Sequence, residues 1–109
     1  MKIDINNMNY EKLEHFKGGE KYINAKMFFD GKCRVLVAEV ESGASIGKHT
    51  HETNGEVIFI LEGAPKVICD GEEERYEAGS VHYCPKGSTH TLINDTNGIV
   101  KIRAVIFEQ

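Results

Sequence analysis

Two histidines one residue apart, His49-Thr50-His51, are followed five positions later by Glu56 and about forty residues further on by His90. On a helix, positions i and i+2 do not share a face, because helical neighbours lie three or four residues apart. On a β-strand the two imidazoles project side by side. Glu56 opens the apolar run Val57-Ile58-Phe59-Ile60-Leu61, which reads as the next strand. The pair Asn54-Gly55 signals a turn that folds this strand back, so that Glu56 faces the same interior as the imidazoles. Imidazole and carboxylate together suit Mn, Fe, Co, Ni, Cu or Zn. The stretch from Gly43 to Glu56, taken with His90, reads as most of a metal site.

The elements that must position these groups fit in one domain. The chain has 109 residues, enough for a single core. Its composition is that of an ordinary globular protein, 40% hydrophobic and 28% charged, with 11 glycines and 2 prolines. A net charge of −4, with no run of Lys or Arg, argues against a nucleic-acid or anionic-membrane partner. Three cysteines, Cys33, Cys69 and Cys84, form no CxxC pair, so no disulfide framework is expected. Met1-Lys2-Ile3-Asp4-Ile5 lacks an apolar signal core, and no apolar run approaches the ~18 residues of a membrane span. A reducing, cytoplasmic setting is expected.

Residues 1–21 read as an N-terminal arm and 22–109 as the body. Within the arm, residues 2–5 alternate and predict a short edge strand. Asn9–Phe16 predicts one or two helical turns, capped by Asn9 and stopped by Gly18-Gly19. Beyond Tyr22 nearly everything is strand and turn. Tyr22–Phe29 and Cys33–Val40 flank Asp30-Gly31, which predicts a type I′ hairpin turn. Further strands are expected at Ile46–His51, Glu56–Leu61, Lys66–Cys69, Glu74–Glu77, Val81–Cys84, His90–Ile93 and Ile99–Phe107, with a second Asp-Gly turn at Asp70-Gly71. Short strands with turn signals every 8–12 residues predict an all-β sandwich or barrel.

Two blocks of spacing then resemble a known family. Gly43, His49, His51, Glu56 and Gly63 stand at the intervals of the first cupin motif, residues 43–63. Gly79, Pro85, Gly87, His90 and Asn94 stand at those of the second, residues 79–94. The resemblance implies a single cupin domain over residues 1–109 with a double-sheet jelly-roll barrel. It implies that His49, His51, Glu56 and His90 form a three-histidine, one-glutamate metal set. It also implies that the four motif glycines occupy turns and that Asn94 closes a strand end. Four protein ligands of an octahedral ion leave two positions for water, dioxygen or a bidentate substrate, as catalysis requires.

The remaining chemistry-bearing residues each carry two readings. His82 alternates in phase with Cys84 on its strand; it is either a partner or general base beside the metal, or a core histidine bonded to backbone. Glu52 is either a rim charge or a group that meets the substrate. Cys84 reads as a small buried apolar residue, as do Cys33 and Cys69. Phe59 and Tyr83 fall out of phase with the ligands and are expected on the outer face. The leading expectation is a metal-dependent enzyme acting on a small sugar or organic acid chelated by one divalent ion (Mn, Fe, Zn, Ni or Cu), with His82 or Glu52 moving a proton. An iron-dependent dioxygenase and a non-catalytic sugar- or effector-binding module are the alternatives. A homodimer is expected, because pairing would cover sheet edges and an apolar outer face.

Overall fold

Period-two patterning carries through most of the chain in the computed structural model, which describes residues 1–109. Ten strands form: β1 (Glu11–Glu14), β2 (Tyr22–Phe29), β3 (Cys33–Val40), β4 (Ser45–Thr50), β5 (Asn54–Glu62), β6 (Lys66–Cys69), β7 (Glu72–Arg75), β8 (Val81–Cys84), β9 (Thr89–Ile93) and β10 (Val100–Glu108). They build an antiparallel six-stranded sheet in the order β1-β2-β3-β10-β5-β8 and a four-stranded sheet in the order β4-β9-β6-β7. The two sheets face one another as an all-β jelly-roll barrel. No helix of the chain is long and apolar enough to cross a membrane.

The inward faces supply the core. Ile23, Leu36, Val40, Ile60 and Ile102 from the larger sheet meet Ile46, Val67 and Leu92 from the smaller one, all nearly inaccessible to solvent. Burying each such side chain stabilises the fold by about 1.5–3 kcal/mol before conformational entropy is subtracted. Along β5 and β9 the inward row then changes character. Ile60 and Ile58 give way to Glu56, and Leu92 gives way to His90. The site therefore lies at one end of a continuous apolar floor.

A β-bulge aims the first ligand. Ile46 pairs with Leu92 and His49 with His90, so β4 spends three residues where β9 spends two. Strict alternation from an inward Ile46 would turn His49 outward. The extra residue at Gly47-Lys48 restores its inward phase, a recurrent use of bulges beside functional sites. Gly47 is needed there because another backbone lies against it. The turn Phe16–Gly18 crosses β4 so closely that a Cβ on Gly47 would stand 2.1 Å from the Lys17 carbonyl oxygen. A Cβ on Gly19 would stand equally close to the Ser45 carbonyl oxygen.

Four local expectations are corrected. Residues 2–5 form no strand, and Asn9–Phe16 is not helical; Ile5–Asn7 is a 3-10 turn and Glu11–Glu14 is a strand. A segment of this length is marginal as a helix, whereas pairing β1 with β2, Leu13 opposite Ile23, seats Leu13 against the core. Asn54-Gly55 is not a turn but the start of β5, with Gly55 opposite Phe107 on β10. The chain reverses before it, at Glu52-Thr53. At Asp30-Gly31 only the glycine has positive φ, and the Asp30 carboxylate accepts the amides of Lys32 and Cys33 in a three-residue loop. Both central residues are positive at Asp70-Gly71, at 49° and 84°. The motif glycines 43, 63, 79 and 87 all take φ between 81° and 94°, as the resemblance implied.

The close crossing at Gly47 makes a sharp expectation. Gly47→Ala drives a Cβ into backbone that cannot rotate away, and should destabilise the protein by at least the roughly 1–3 kcal/mol typical of overpacking. Thermal unfolding of the metal-free protein measures it. A variant with unchanged melting temperature would mean that the crossing is looser than the structure has it.

Candidate metal centre

Four donors meet where the two sheets close on one another. His49 from β4 and His90 from β9 face each other as a cross-strand pair. His51 follows just beyond the end of β4, and Glu56 reaches in from β5 in the opposite sheet. His51, Glu56 and His90 are buried and His49 is partly so. Nε2 of His90 lies 3.0 Å from Nε2 of His51 and 3.1 Å from Nε2 of His49. Glu56 Oε1 lies 3.1 Å from Nε2 of His51 and 3.0 Å from Nε2 of His90.

The other ring nitrogens are all engaged. His49 Nδ1–H donates to the Gly47 carbonyl at 2.7 Å, and His51 Nδ1–H to the Asn54 side-chain oxygen at 2.6 Å. These oxygens can only accept, so the protons sit on Nδ1 and each Nε2 presents a lone pair. His90 Nδ1 lies 2.9 Å from His82 Nε2, and His82 Nδ1 lies 2.9 Å from the Tyr76 hydroxyl. Burial, then the neighbouring His90, pushes His82 down to about 4, so it is a neutral ring. A neutral His82 whose Nδ1–H meets Tyr76 accepts from His90 Nδ1–H, which leaves the His90 Nε2 lone pair facing the others.

Three imidazole lone pairs and a carboxylate oxygen thus converge with no donor hydrogen among them. Such a group is held together only by a cation in its midst. Without a metal, a proton serves: the Glu56 hydrogen bond raises His51 above the ordinary histidine value, against the opposing effect of burial. Burial also works against the Glu56 charge, but the His51 and His90 imidazoles beside it hold that carboxyl at about 2. The spacing fits a metal. Donors about 2.1 Å from an ion and at right angles stand about 3.0 Å apart, against about 3.4 Å in a tetrahedron. The four recorded separations of 3.0–3.1 Å match the first arrangement. The cluster could hold one metal ion.

A cavity of about 480 Å³ opens onto His49, His51 and Glu56. Phe16, Met27, Leu36 and Ile106 form its apolar side, and Lys17, Arg34 and Glu52 bring charge to it. Neither Lys17 nor Arg34 pairs with a carboxylate. Arg34 is half-buried, stacked over Phe29 at 4.3 Å and donating to the Met27 sulfur at 3.5 Å. Of the two residues read from the sequence as proton carriers, Glu52 lines this cavity while His82 stands behind His90 and lines another.

The structure brings His49, His51, Glu56 and His90 together, with their donor atoms within 4.8 Å of one another. Asn94 is fully buried and closes a strand end, donating to the carbonyls of Val40 and Gly98. Phe59 and Tyr83 are exposed on the outer face. Cys84 is buried, whereas Cys33 and Cys69 are only partly so. Sequence reasoning missed Gly47, Asn54, Tyr76, Lys17 and Arg34. A phase count from Ile46 to His49 would have exposed the bulge. Nothing in the sequence could bring Lys17, from the arm, and Arg34, from β3, to the same cavity.

Comparison with known proteins places these features in a family. Residues 36–107 match the family model described as Cupin domain. An oxalate-binding protein of Thermotoga maritima is 26% identical over 102 residues, covering 88% of this chain and 84% of that protein. Among solved structures, a predicted oxalate decarboxylase from Thermotoga maritima superposes with a TM-score of 0.92 at 23% identity, over 100% of both chains. KdgF from Halomonas sp. superposes at 0.77 with 18% identity, over 98% of this chain and 92% of the other. At these identities the solved structures speak for the fold alone.

The bond from His82 to His90 can be tested without any substrate. His82→Leu removes the acceptor that fixes the His90 ring and should lower metal affinity roughly 10–100-fold, whereas His82→Gln, with an amide oxygen in reach, should retain most of it. Competition with a chromophoric chelator reads both variants. Equal affinity for His82→Leu and the wild type would remove His82 from the support of the site.

Proposed function

The chain belongs to the cupin family, and from that premise we propose that it is a metal-dependent enzyme acting on a small organic-acid anion of the oxalate class. The observation that carries this reading is the meeting of a three-histidine, one-glutamate donor set, of which His49, His51 and Glu56 line one cavity, with two cationic side chains of that cavity that form no ion pair. His49, His51, Glu56 and His90 would hold one divalent transition metal. When bound, the ion would supply Lewis acidity toward the carboxylate oxygens of the substrate.

The chain's own residues do the rest. Arg34 offers a planar fork of donors suited to a carboxylate, pre-positioned by its stacking on Phe29. Lys17 adds a second positive charge that draws an anion into a protein of net charge −4. The apolar wall of Phe16, Met27, Leu36 and Ile106 excludes water and strengthens both attractions. Glu52 is the carboxylate free to move a proton, and His82 fixes the ring of His90 from behind. At about 480 Å³ the cavity has the size of a small-molecule site, with room for acids larger than oxalate.

A second reading, binding without turnover, draws support from the oxalate-binding relative and from the exposure of Glu52, the one carrier of protons on the cavity wall. Titration calorimetry of oxalate and larger dicarboxylates into metal-loaded protein tests what the two readings share. Binding is expected to need the metal and to vanish in His49→Ala/His51→Ala. It should weaken about tenfold or more in Arg34→Ala, the loss of roughly 1.5–3 kcal/mol for a hydrogen bond to a charged group. Release of carbon dioxide from bound acid then separates the enzyme from the binding module. If no carboxylate binds the loaded protein, both readings fail.

We also infer self-association. Phe59, Leu61, Val81 and Tyr83 lie on the outer faces of β5 and β8 and are 42–51% exposed, with Phe59 directly opposite Val81. β8 is a free edge of the larger sheet, and a second copy laid on this face would cover both edge and patch. Sedimentation should find a dimer that Phe59→Glu/Val81→Glu converts to a monomer with its metal uptake intact. A monomeric wild type would dismiss the inference.

A further inference from the structure

The row of side chains that carries the metal ligands does not end with them. In the smaller sheet, His90 is paired on one side with His49 and on the other with Cys69 of β6. In the larger sheet, Glu56 is paired with Cys84 of β8. Cross-strand partners share a face, so both thiols point into the barrel one strand beyond the ligands. His82, two residues before Cys84, lies on the same face. Ligand atoms of Cys69, His82 and Cys84 all lie within 4.8 Å of one another. All three cysteines of the chain are free thiols.

This trio has its own access. A cavity of about 360 Å³, separate from the one above His49, is lined by Cys69, His82, Tyr76 and three carboxylates, those of Asp70, Glu72 and Glu74. The two cavities have no lining residue in common. The charge at the mouths differs: Lys17 and Arg34 stand beside Glu52 at the first, and carboxylates stand alone at the second. An acidic mouth raises the local concentration of cations, and two sulfurs select soft ions over Mg, Ca or Mn.

We propose that Cys69 and Cys84 form a second metal site, which takes one thiophilic cation of the copper(I) class through the acidic cavity, beside a His82 whose two ring nitrogens stay bonded to His90 and Tyr76. Thiolates are soft ligands of the kind that select copper(I). Burial and mutual proximity keep both thiols protonated when no ion is present; Cys84 is pushed up to about 12 and Cys69 is raised by burial. A bound cation removes those protons outright. Ionised thiols appear here only as ligands, and that gives the site its signature.

Cadmium(II), whose bonds to thiolate absorb in the ultraviolet, is the probe. Chelator-stripped, fully reduced protein carrying Cys33→Ser is titrated with it, with and without His49→Ala/His51→Ala, and uptake is counted by equilibrium dialysis. The expected result is a thiolate charge-transfer band in both proteins, with one ion fewer in the protein that lacks the two histidines. Cys69→Ser, at a half-exposed position that leaves the core intact, should abolish the band and cost this site more than the roughly 10–100-fold lost with a mere hydrogen-bond partner of a ligand. Cys84→Ser should do the same, with circular dichroism reporting its folding. The proposal is overturned if the histidine-deficient protein takes up no cadmium with a thiolate band, or if the band survives Cys69→Ser.

Discussion

Everything in this structure answers to the convergence of four electron-rich atoms at separations of 3.0–3.1 Å. Left alone, lone pairs so placed repel, and in a buried site little water screens them. Something must press them together until an ion arrives. Two arrangements share the work. One is the engagement of the Nδ1 atoms, by Gly47, Asn54 and His82, which fixes each ring about its own axis. The other is the derivation of the donors from both sheets, so that none can retreat without separating the layers that bury Ile58, Ile60, Val67 and Leu92.

The two arrangements depend on each other. His49 faces inward only because β4 is bulged, and the bulge sits where the Phe16–Gly18 turn presses on Gly47. That same turn carries Lys17 to the cavity. The arm therefore does two things through one contact: it sets the phase of a ligand and brings a cation to the mouth. His51 is fixed from the opposite side, by an asparagine that belongs to the start of β5, two residues before Glu56. The ligands and the residues that hold them come from neighbouring positions on the same strands, which is how a short chain can afford a precise site.

This division explains what the sequence disclosed and what it withheld. The barrel was legible because each strand alternates locally; Tyr22–Phe29, Cys33–Val40, Lys66–Cys69 and Val81–Cys84 appear with the bounds their patterns implied. The candidate donor set was legible because its spacing is local apart from His90. The N-terminal arm was misread because Asn9–Phe16 carries helical signals of its own and becomes a strand only through its pairing with β2. Asn54-Gly55 was misread as a turn because the dipeptide does favour one; here Asn54 instead anchors His51, and Gly55 admits the crowded end of the chain, where a Cβ would meet the Gln109 side chain at 2.6 Å. Positioning groups such as Tyr76, Lys17 and Arg34 are defined by tertiary proximity, which no spacing rule encodes.

His90 is the hinge between two unlike environments. Its Nε2 faces the donor set that opens on a cavity with Lys17 and Arg34, and its Nδ1 faces His82, which lines a cavity rimmed by Asp70, Glu72 and Glu74. Electrostatics distinguishes the two sides: the second mouth, rimmed by carboxylates alone, favours cations, whereas the first sets Lys17 and Arg34 beside Glu52. On the proposed function, an organic-acid anion would gain from the fixed positive charge of Lys17 and Arg34, while Asp70, Glu72 and Glu74 stand on the far side. The neutrality of His82 is what lets the two environments sit back to back. Were that ring charged, it could no longer accept from His90, and its positive charge would oppose any cation on either side.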